Sequence, residues 1–413
     1  MVTHTSAGEG LSPQMKGSPV EVLRVSLHLG LTSFGGPIAH LGYFNREYVQ
    51  KRQWLSAGEY AALVSLCQLL PGPTSSQVGF LIGLRRAGIP GALAAWIGFT
   101  LPSAVFMYAF AVLAPRGSGP LMQAVLHGLM LTAFVVVAQA VWSMARTLCP
   151  DRQRATIALA AATMLAFHSS GVLQFLVLAG GGIAGSIMCR NVRHAGIELS
   201  VVTDHRMAWV ALAVFGGLLI SLPTAGEFAP HGPIALANIF YRAGAFVFGG
   251  GHVVLPLLQG ALVPDHWISD EGFLAGYGFA QAMPGPLFTV AAYLGAASAP
   301  THASLPWAAI ALAAIFLPGL LLSFVGLSLW SRLARIPAAL AILAGINAGV
   351  VGLLGAALYK PIGVTAIHSA FDVGVVVIGF VLLQWRRVPP ILVAALMVAA
   401  SLSENACIPW FIS

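Results

Sequence analysis

Thirteen apolar stretches follow one another between residues 21 and 403, and the longest polar segment separating any two of them is 190–206. A run of apolar residues this long needs a solvent of its own kind, and about 20 residues suffice to cross a bilayer as a helix. Charged residues make up 8% of the chain, against roughly 25% in an ordinary soluble domain. Too few charges remain to cover a water-exposed surface. This excludes a soluble enzyme, a coiled coil and a disordered tail protein. The stretches run far past ten residues without alternating, which argues against an outer-membrane barrel. The expected fold class is therefore an all-α polytopic membrane protein.

The net charge of +7 falls in short loops, where Lys and Arg orient spans, so it gives no reason to expect nucleic acid as a partner. The partner implied by composition is the lipid bilayer; a homodimer is compatible with it. Cys67, Cys149, Cys189 and Cys407 lie far apart and read as small packing residues. No metal site and no cofactor are expected from these spacings. The first twenty residues have no apolar core and do not read as a cleavable signal.

Gly and Pro interrupt several stretches in matched pairs. Phe34-Gly35-Gly36 recurs as Phe248-Gly249-Gly250 after 214 residues, and Trp54-Leu55-Ser56 as Trp267-Ile268-Ser269 after 213. Gln68-x-x-Pro71-Gly72-Pro73 recurs as Gln281-x-x-Pro284-Gly285-Pro286 after 213, and Leu101-Pro102 as Leu317-Pro318 after 216. Ordered landmarks at a near-constant offset indicate an internal duplication, a common build for secondary transporters. The expected division is a polar tail at 1–20, a first repeat at 21–189, a linker with a central helix at 190–233, a second repeat at 234–403 and a tail at 404–413.

The loop charges alternate in opposite phase in the two copies. Arg46, Lys51 and Arg52 precede the first PGP segment, whereas its counterpart loop 263–271 carries Asp265, Asp270 and Glu271 and no Lys or Arg. The bias flips at each following pair, which predicts that the second copy is inverted. The basic loops 44–56 and 85–87 then belong on one side of the membrane, although an apolar stretch separates them. Two readings resolve this. The PGP and FGG segments are re-entrant hairpins with nine full crossings, or all thirteen stretches span and loop 44–56 is an exception. The charges favour the hairpins.

A break inside the bilayer is tolerated only within protein or against a watery cavity. It bares N–H groups at the start of the next half-helix, where an anion is favoured. Thr74, Ser75, Ser76 and Gln77 follow the first PGP, while Leu287, Phe288 and Thr289 follow the second. Inversion is expected to bring the two PGP segments toward each other near the midplane. The candidate substrate-binding residues are the break glycines Gly35, Gly36, Gly72, Gly249, Gly250 and Gly285, the polar residues Gln68, Thr74, Ser75, Ser76, Gln77, Gln281 and Thr289, and the ionisable residues Arg24, His28, Arg242 and His252. Arg242 is weighed as facing the substrate path or as bonded to backbone carbonyls. His40 and His252 read first as packing residues, Glu59 as a solvated acid, and Asp372 as a helix cap in preference to a proton relay. Several cations and hydroxyls with few buried acids suit an oxyanion better than a metal cation.

Taken together, Ser33-Phe34-Gly35-Gly36-Pro37, Trp54-Leu55-Ser56, Gln68-Leu69-Leu70-Pro71-Gly72-Pro73 and their second-half counterparts resemble the chromate ion transporter (CHR) family in its long two-domain form. The resemblance runs from about residue 20 to 400. It implies a multi-pass protein of the bacterial inner membrane that exports chromate, driven by membrane potential or a proton gradient, with a link to sulfate as a similar tetrahedral dianion. An oxyanion channel, or a transporter of another anion such as sulfate, remains the alternative. No GxSxG motif or P-loop points to an enzyme or a primary pump.

Overall fold

The structure, a computed structural model, describes residues 17–113, 119–168, 171–189, 205–248, 251–300, 303–333, 337–385 and 388–411. Among these residues every regular element is a helix. The first repeat contains α1 (Pro19–Thr32), α2 (Gly36–Phe44) continued by a π-turn (Asn45–Lys51), α3 (Ala57–Leu69), α4 (Thr74–Leu113), α5 (Pro120–Leu148), α6 (Arg152–Phe167) and α7 (Gly171–Met188). After α8 (His205–Glu227), the second repeat contains α9 (Pro233–Ala245), α10 (Val254–Leu262), α11 (Asp270–Ala282), α12 (Val290–Ala297), α13 (Ser304–Leu333) and α14 (Pro337–Ala357). It ends with the short α15 (Val364–Ala366), α16 (Ala370–Gln384) and α17 (Pro390–Phe411).

The helix starts follow local rules that recur in both copies. Ser56 Oγ accepts from the Glu59 backbone N–H at 3.3 Å while the Glu59 carboxylate accepts from Ser56 N–H at 2.8 Å, a reciprocal capping box. Its counterpart Ser269 caps α11 by accepting from Gly272 N–H at 3.1 Å. Pro lies in the first turn of α1, α2, α5 and α9, where its missing N–H removes nothing the helix needs. Helix α4 is two helices in one: Ala87 and Gly88 leave helical geometry, with Gly88 at φ 65°.

The interrupted stretches fold back on themselves. Glu59, at the start of α3, forms an ion pair with Arg85, just before the α4 kink, so the two arms flanking Pro71-Gly72-Pro73 have adjacent ends. The arms flanking Phe34-Gly35-Gly36 also meet, with Ser26 and Tyr48 hydroxyls 3.2 Å apart. The Arg86 guanidinium stacks 5.0 Å from the Trp54 ring, which places loop 44–56 beside 85–87. In the second repeat His231, Trp267 and Trp307 form a chain of rings that gathers the open ends of α9, α11 and α13. The first-repeat arms thus fold back on themselves, the shape that the hairpin reading expects. Glu59 is the acid at a helix N-terminus that was expected, and it also caps α3 and pairs with Arg85. Replacing it with alanine should lower stability by about 1–2 kcal/mol, the scale of losing a cap. Thermal unfolding of the detergent-solubilised protein checks this.

Among the described residues, five helices are long and apolar enough to cross a membrane: Thr74–Leu113, Pro120–Leu148, Arg206–Glu227, Ser304–Ser328 and Ala338–Ala366. Helices α6, α7 and α16 are shorter, at 16, 18 and 15 residues. The two repeats interlock. Helix α7 packs on α14, and in the mirror arrangement α17 packs on α5. Gly181, Gly185 and Gly345 let α7 and α14 approach backbone to backbone, since a Cβ on Gly185 would lie 2.7 Å from the Gly345 backbone. Helix α8 leans on α9 and α13 and leaves Trp209, Val210 and Ile220 exposed, a surface suited to lipid.

Candidate functional site

The hairpin tips are joined across the repeats by two equivalent hydrogen bonds. Gly72 N–H donates to Val247 C=O at 2.8 Å, and Gly285 N–H donates to Ser33 C=O at 2.9 Å. Each PGP tip therefore seats on the FGG break of the opposite repeat. It also meets the middle of that repeat's spanning helix. Ser103 on α4 donates to Pro284 C=O at 2.5 Å, and Gln77 donates to Gly319 C=O on α13 at 3.0 Å. Both tips need positive φ, 117° at Gly72 and 89° at Gly285, which glycine adopts without strain.

The chemistry around the crossing differs between repeats. On the first-repeat side Ser33, His40, Ser75, Ser76, Gln77, Thr100 and Ser103 are buried. His40 Nδ1 lies 3.3 Å from Ser75 Oγ and its ring stands edge-on to Phe99, so the FGG break, the start of α4 and the Phe99–Ser103 turn converge. At the corresponding positions of the second repeat stand Val247, Val254, Phe288, Thr289, Val290, Phe316 and Gly319. Thr289 spends its hydroxyl on Pro286 C=O of its own turn, at 2.8 Å. Several first-repeat atoms have no such partner: Ser33 Oγ, His40 Nε2, Ser76 Oγ, Gln77 Oε1 and Thr100 Oγ1 are buried and unpaired. An unpaired buried polar group costs about 1–3 kcal/mol, so a concentration of them marks a place where something polar belongs. The N–H groups of the first turn of α4 also lack intrahelical carbonyl partners. His40 was read first as packing. Its spacing gave no other signal; Nδ1 meets the Ser75 hydroxyl as a packing histidine would, and only the buried, unpaired Nε2 distinguishes it.

The remaining candidates fall at several places. Gly35, Gly36, His252 and Gln281 line one cavity of about 480 Å³ with Tyr43, Gln139 and Pro390. His252 Nδ1 lies 3.0 Å from the Tyr277 hydroxyl, and Gln281 Nε2 is buried without a partner. Gln68 is exposed and lies outside that cavity, so the repeated glutamines do not share it. Thr74 is half-buried at the first position of α4. Gly249 and Gly250 lie outside the described residues. Arg242 is half-buried with its guanidinium 4.7 Å over the Phe175 ring. Arg24 and His28 are exposed and line a different cavity, of about 570 Å³, with Glu21, Glu47, Lys51 and Arg52. Arg242 does not line that cavity, so the expected grouping of Arg242 with His28 or Arg24 is not formed there. There, burial pushes the Glu47 carboxyl up, but hydrogen bonds from Arg52 and Lys51 outweigh it and hold the group below its ordinary value.

Asp372 is a cap, as expected, in a capping box with Ser369. It is also the partner of His127, 245 residues away, with Nε2 and Oδ1 2.8 Å apart. His368 joins them, and the donor atoms of the three lie within 4.8 Å of one another. Cysteine and histidine spacing could not reveal this cluster, because its members come from distant parts of the chain.

Comparison with known proteins bears on the whole chain. A family model described as "Chromate transporter" matches residues 20–186 and 234–402. A chromate transport protein of Cupriavidus metallidurans is 27% identical over 400 residues, covering 89% of this chain and 89% of that protein. A chromate transport protein of Pseudomonas aeruginosa is 29% identical, covering 82% of this chain and 80% of that one. A probable chromate transport protein of Synechococcus elongatus is also 29% identical, at 87% and 88% coverage. No solved structure matches the chain.

Proposed function

Because the chain belongs to the chromate transporter family and is a membrane transport protein, not an enzyme, we propose that it exports chromate across the bacterial inner membrane as a secondary active transporter. The driving force in this reading is the membrane potential or a proton gradient. The two repeats are inverted and rock about the crossed hairpin tips to expose the site to each side in turn.

The observation that supports this reading is the set of unpaired buried groups on the first-repeat side of the crossing. Chromate is a tetrahedral dianion with four acceptor oxygens. Hydroxyls of Ser33, Ser76 and Thr100, the His40 imidazole and the N-terminus of α4 supply donors to such a species without requiring a permanent cation for every charge. Sulfate shares the shape and charge. The apolar counterparts in the second repeat assign the two halves different work: one binds the dianion, and the other supplies a rigid wall and a matching tip.

Uptake into inverted membrane vesicles tests the proposal. Chromate entry should saturate with concentration, fall when the potential and proton gradient are collapsed, and be inhibited by excess sulfate. Uptake that is indifferent to both gradients, or single-channel currents from the reconstituted protein, would overturn a coupled carrier.

A further inference from the structure

Away from the hairpin tips, side chains from both repeats gather at one junction. His127 comes from α5 of the first repeat, and His368 and Asp372 from the start of α16 in the second. Asp372 is 1% exposed and presents its two oxygens differently. Oδ2 accepts from the backbone N–H groups of His368 and Ser369, both at 2.9 Å. This fixes the carboxylate plane and points Oδ1 at His127 Nε2, 2.8 Å away. The two imidazoles lie nearly parallel, centroids 5.3 Å apart and planes 24° from parallel. His368 is exposed, and Glu404 stands next to the cluster with its carboxylate 3.2 Å from Ser369 Oγ.

We propose that His127, His368 and Asp372 form a binding site for a divalent transition cation of the zinc type, clamping α5 of one repeat to α16 of the other. Two imidazoles and one carboxylate form a donor set suited to zinc, cobalt or nickel, whereas calcium and magnesium take oxygen ligands. Ligands on a tetrahedral zinc stand roughly 2.0–2.2 Å from the metal, hence about 3.3–3.6 Å from one another. The separation of up to 4.8 Å between donor atoms closes to that range mainly by a small inward swing of His368, the exposed member. The buried carboxylate is already oriented by its two backbone donors, the kind of outer support that metal sites use. The fourth position is left for water or the Glu404 carboxylate. A hydrogen-bonded His127–Asp372 pair inside a capping box would need no second imidazole at this place, and the metal gives His368 a role.

The test uses the full chain purified in detergent. Titration with Co²⁺ should give one bound equivalent with visible absorption of tetrahedral intensity, displaced by Zn²⁺. Mg²⁺ should not displace it. His368→Ala removes an exposed side chain, so it should fold normally, lose at least tenfold in Co²⁺ affinity, and lose the rise in unfolding temperature that Zn²⁺ gives the unaltered protein. Asp372→Asn should lose binding as well. The proposal fails if the unaltered protein takes up no more Co²⁺ than His368→Ala, or if Zn²⁺ stabilises both equally. Neither readout depends on transport, so the result stands apart from the chromate assignment.

Discussion

Valine at position 285 is expected to abolish chromate uptake while the protein still reaches the membrane. Gly285 sits at φ 89°, and a Cβ there would collide with the Ser103 hydroxyl and stand 3.2 Å from Phe99 C=O and 3.3 Å from Gly30 C=O. Holding a β-branched residue at such a φ costs about 1–3 kcal/mol. Forcing its side chain into a filled space costs about 1–3 kcal/mol more. The tip can relieve both only by backing away from Ser33, which breaks the 2.9 Å bond from Gly285 N–H and pulls the turn off the opposite repeat. Gly72→Val should behave alike, because its Cβ would stand 2.9 Å from Gly319 Cα at φ 117°. Gly36→Ala should cost less, since its φ of 80° is strained but nothing lies within 4 Å. Gly58→Ala, in the first turn of α3 with open space around it, should be silent. Vesicle uptake normalised to protein abundance measures the series. Unimpaired uptake by the Gly285→Val protein would show that the crossed tips do not have to stay closed together.

Why the tips were legible and parts of the site were not comes down to the range of the causes. Pro71-Gly72-Pro73 breaks a helix by local chemistry: the ring clash and missing N–H of proline act within a turn, and Gly72 admits a positive φ. The duplication exposes the second tip by repetition, and loop charges act individually on topology, so the fold-back of 57–84 could be read from Arg46, Lys51, Arg52, Arg85 and Arg86. Partners distant in the chain leave no such trace. His127 lies in an apolar stretch with no nearby acid, and its pairing with Asp372 depends on α5 of one repeat meeting α16 of the other. Thr289 matches Ser76 in sequence position, yet it turns onto Pro286 C=O while Ser76 Oγ stays unpaired. Equivalent positions took different local backbones, an α-helical turn at Ser76 and a 3₁₀ turn (Leu287–Thr289) at Thr289, and with them different hydrogen-bond partners. Helix phase similarly decided that Arg24 and His28 face an exposed cavity while Arg242, at the position equivalent to His28, is half-buried on α9.

That difference leads to the second large effect. Arg242→Gln should reduce chromate uptake to background, whereas Arg24→Gln should change it a few-fold at most. Among the described residues no carboxylate forms an ion pair with Arg242; its guanidinium rests on the Phe175 ring at 4.7 Å. A ring face supplies roughly 0.5–2 kcal/mol, while an arginine at membrane depth costs at least about 2.5–3.5 kcal/mol. In the proposed transport cycle a dianion would supply the missing charge. Arg24, by contrast, shares its cavity with Glu21 and Glu47, so carboxylates already stand nearby. Removing one partner of a desolvated charge contact costs about 2–5 kcal/mol, or roughly 30- to several-thousand-fold in affinity. Arg242→Lys should recover part of the uptake by keeping the charge, but not all, because an ammonium does not lie flat on Phe175 or offer a planar fork to two oxygens. Concentration dependence of uptake separates the cases: loss of affinity at equal abundance places Arg242 on the anion's route. Full uptake by Arg242→Gln would instead assign the guanidinium to packing against α7, and would leave the hydroxyls and the α4 N-terminus to bind the dianion unaided.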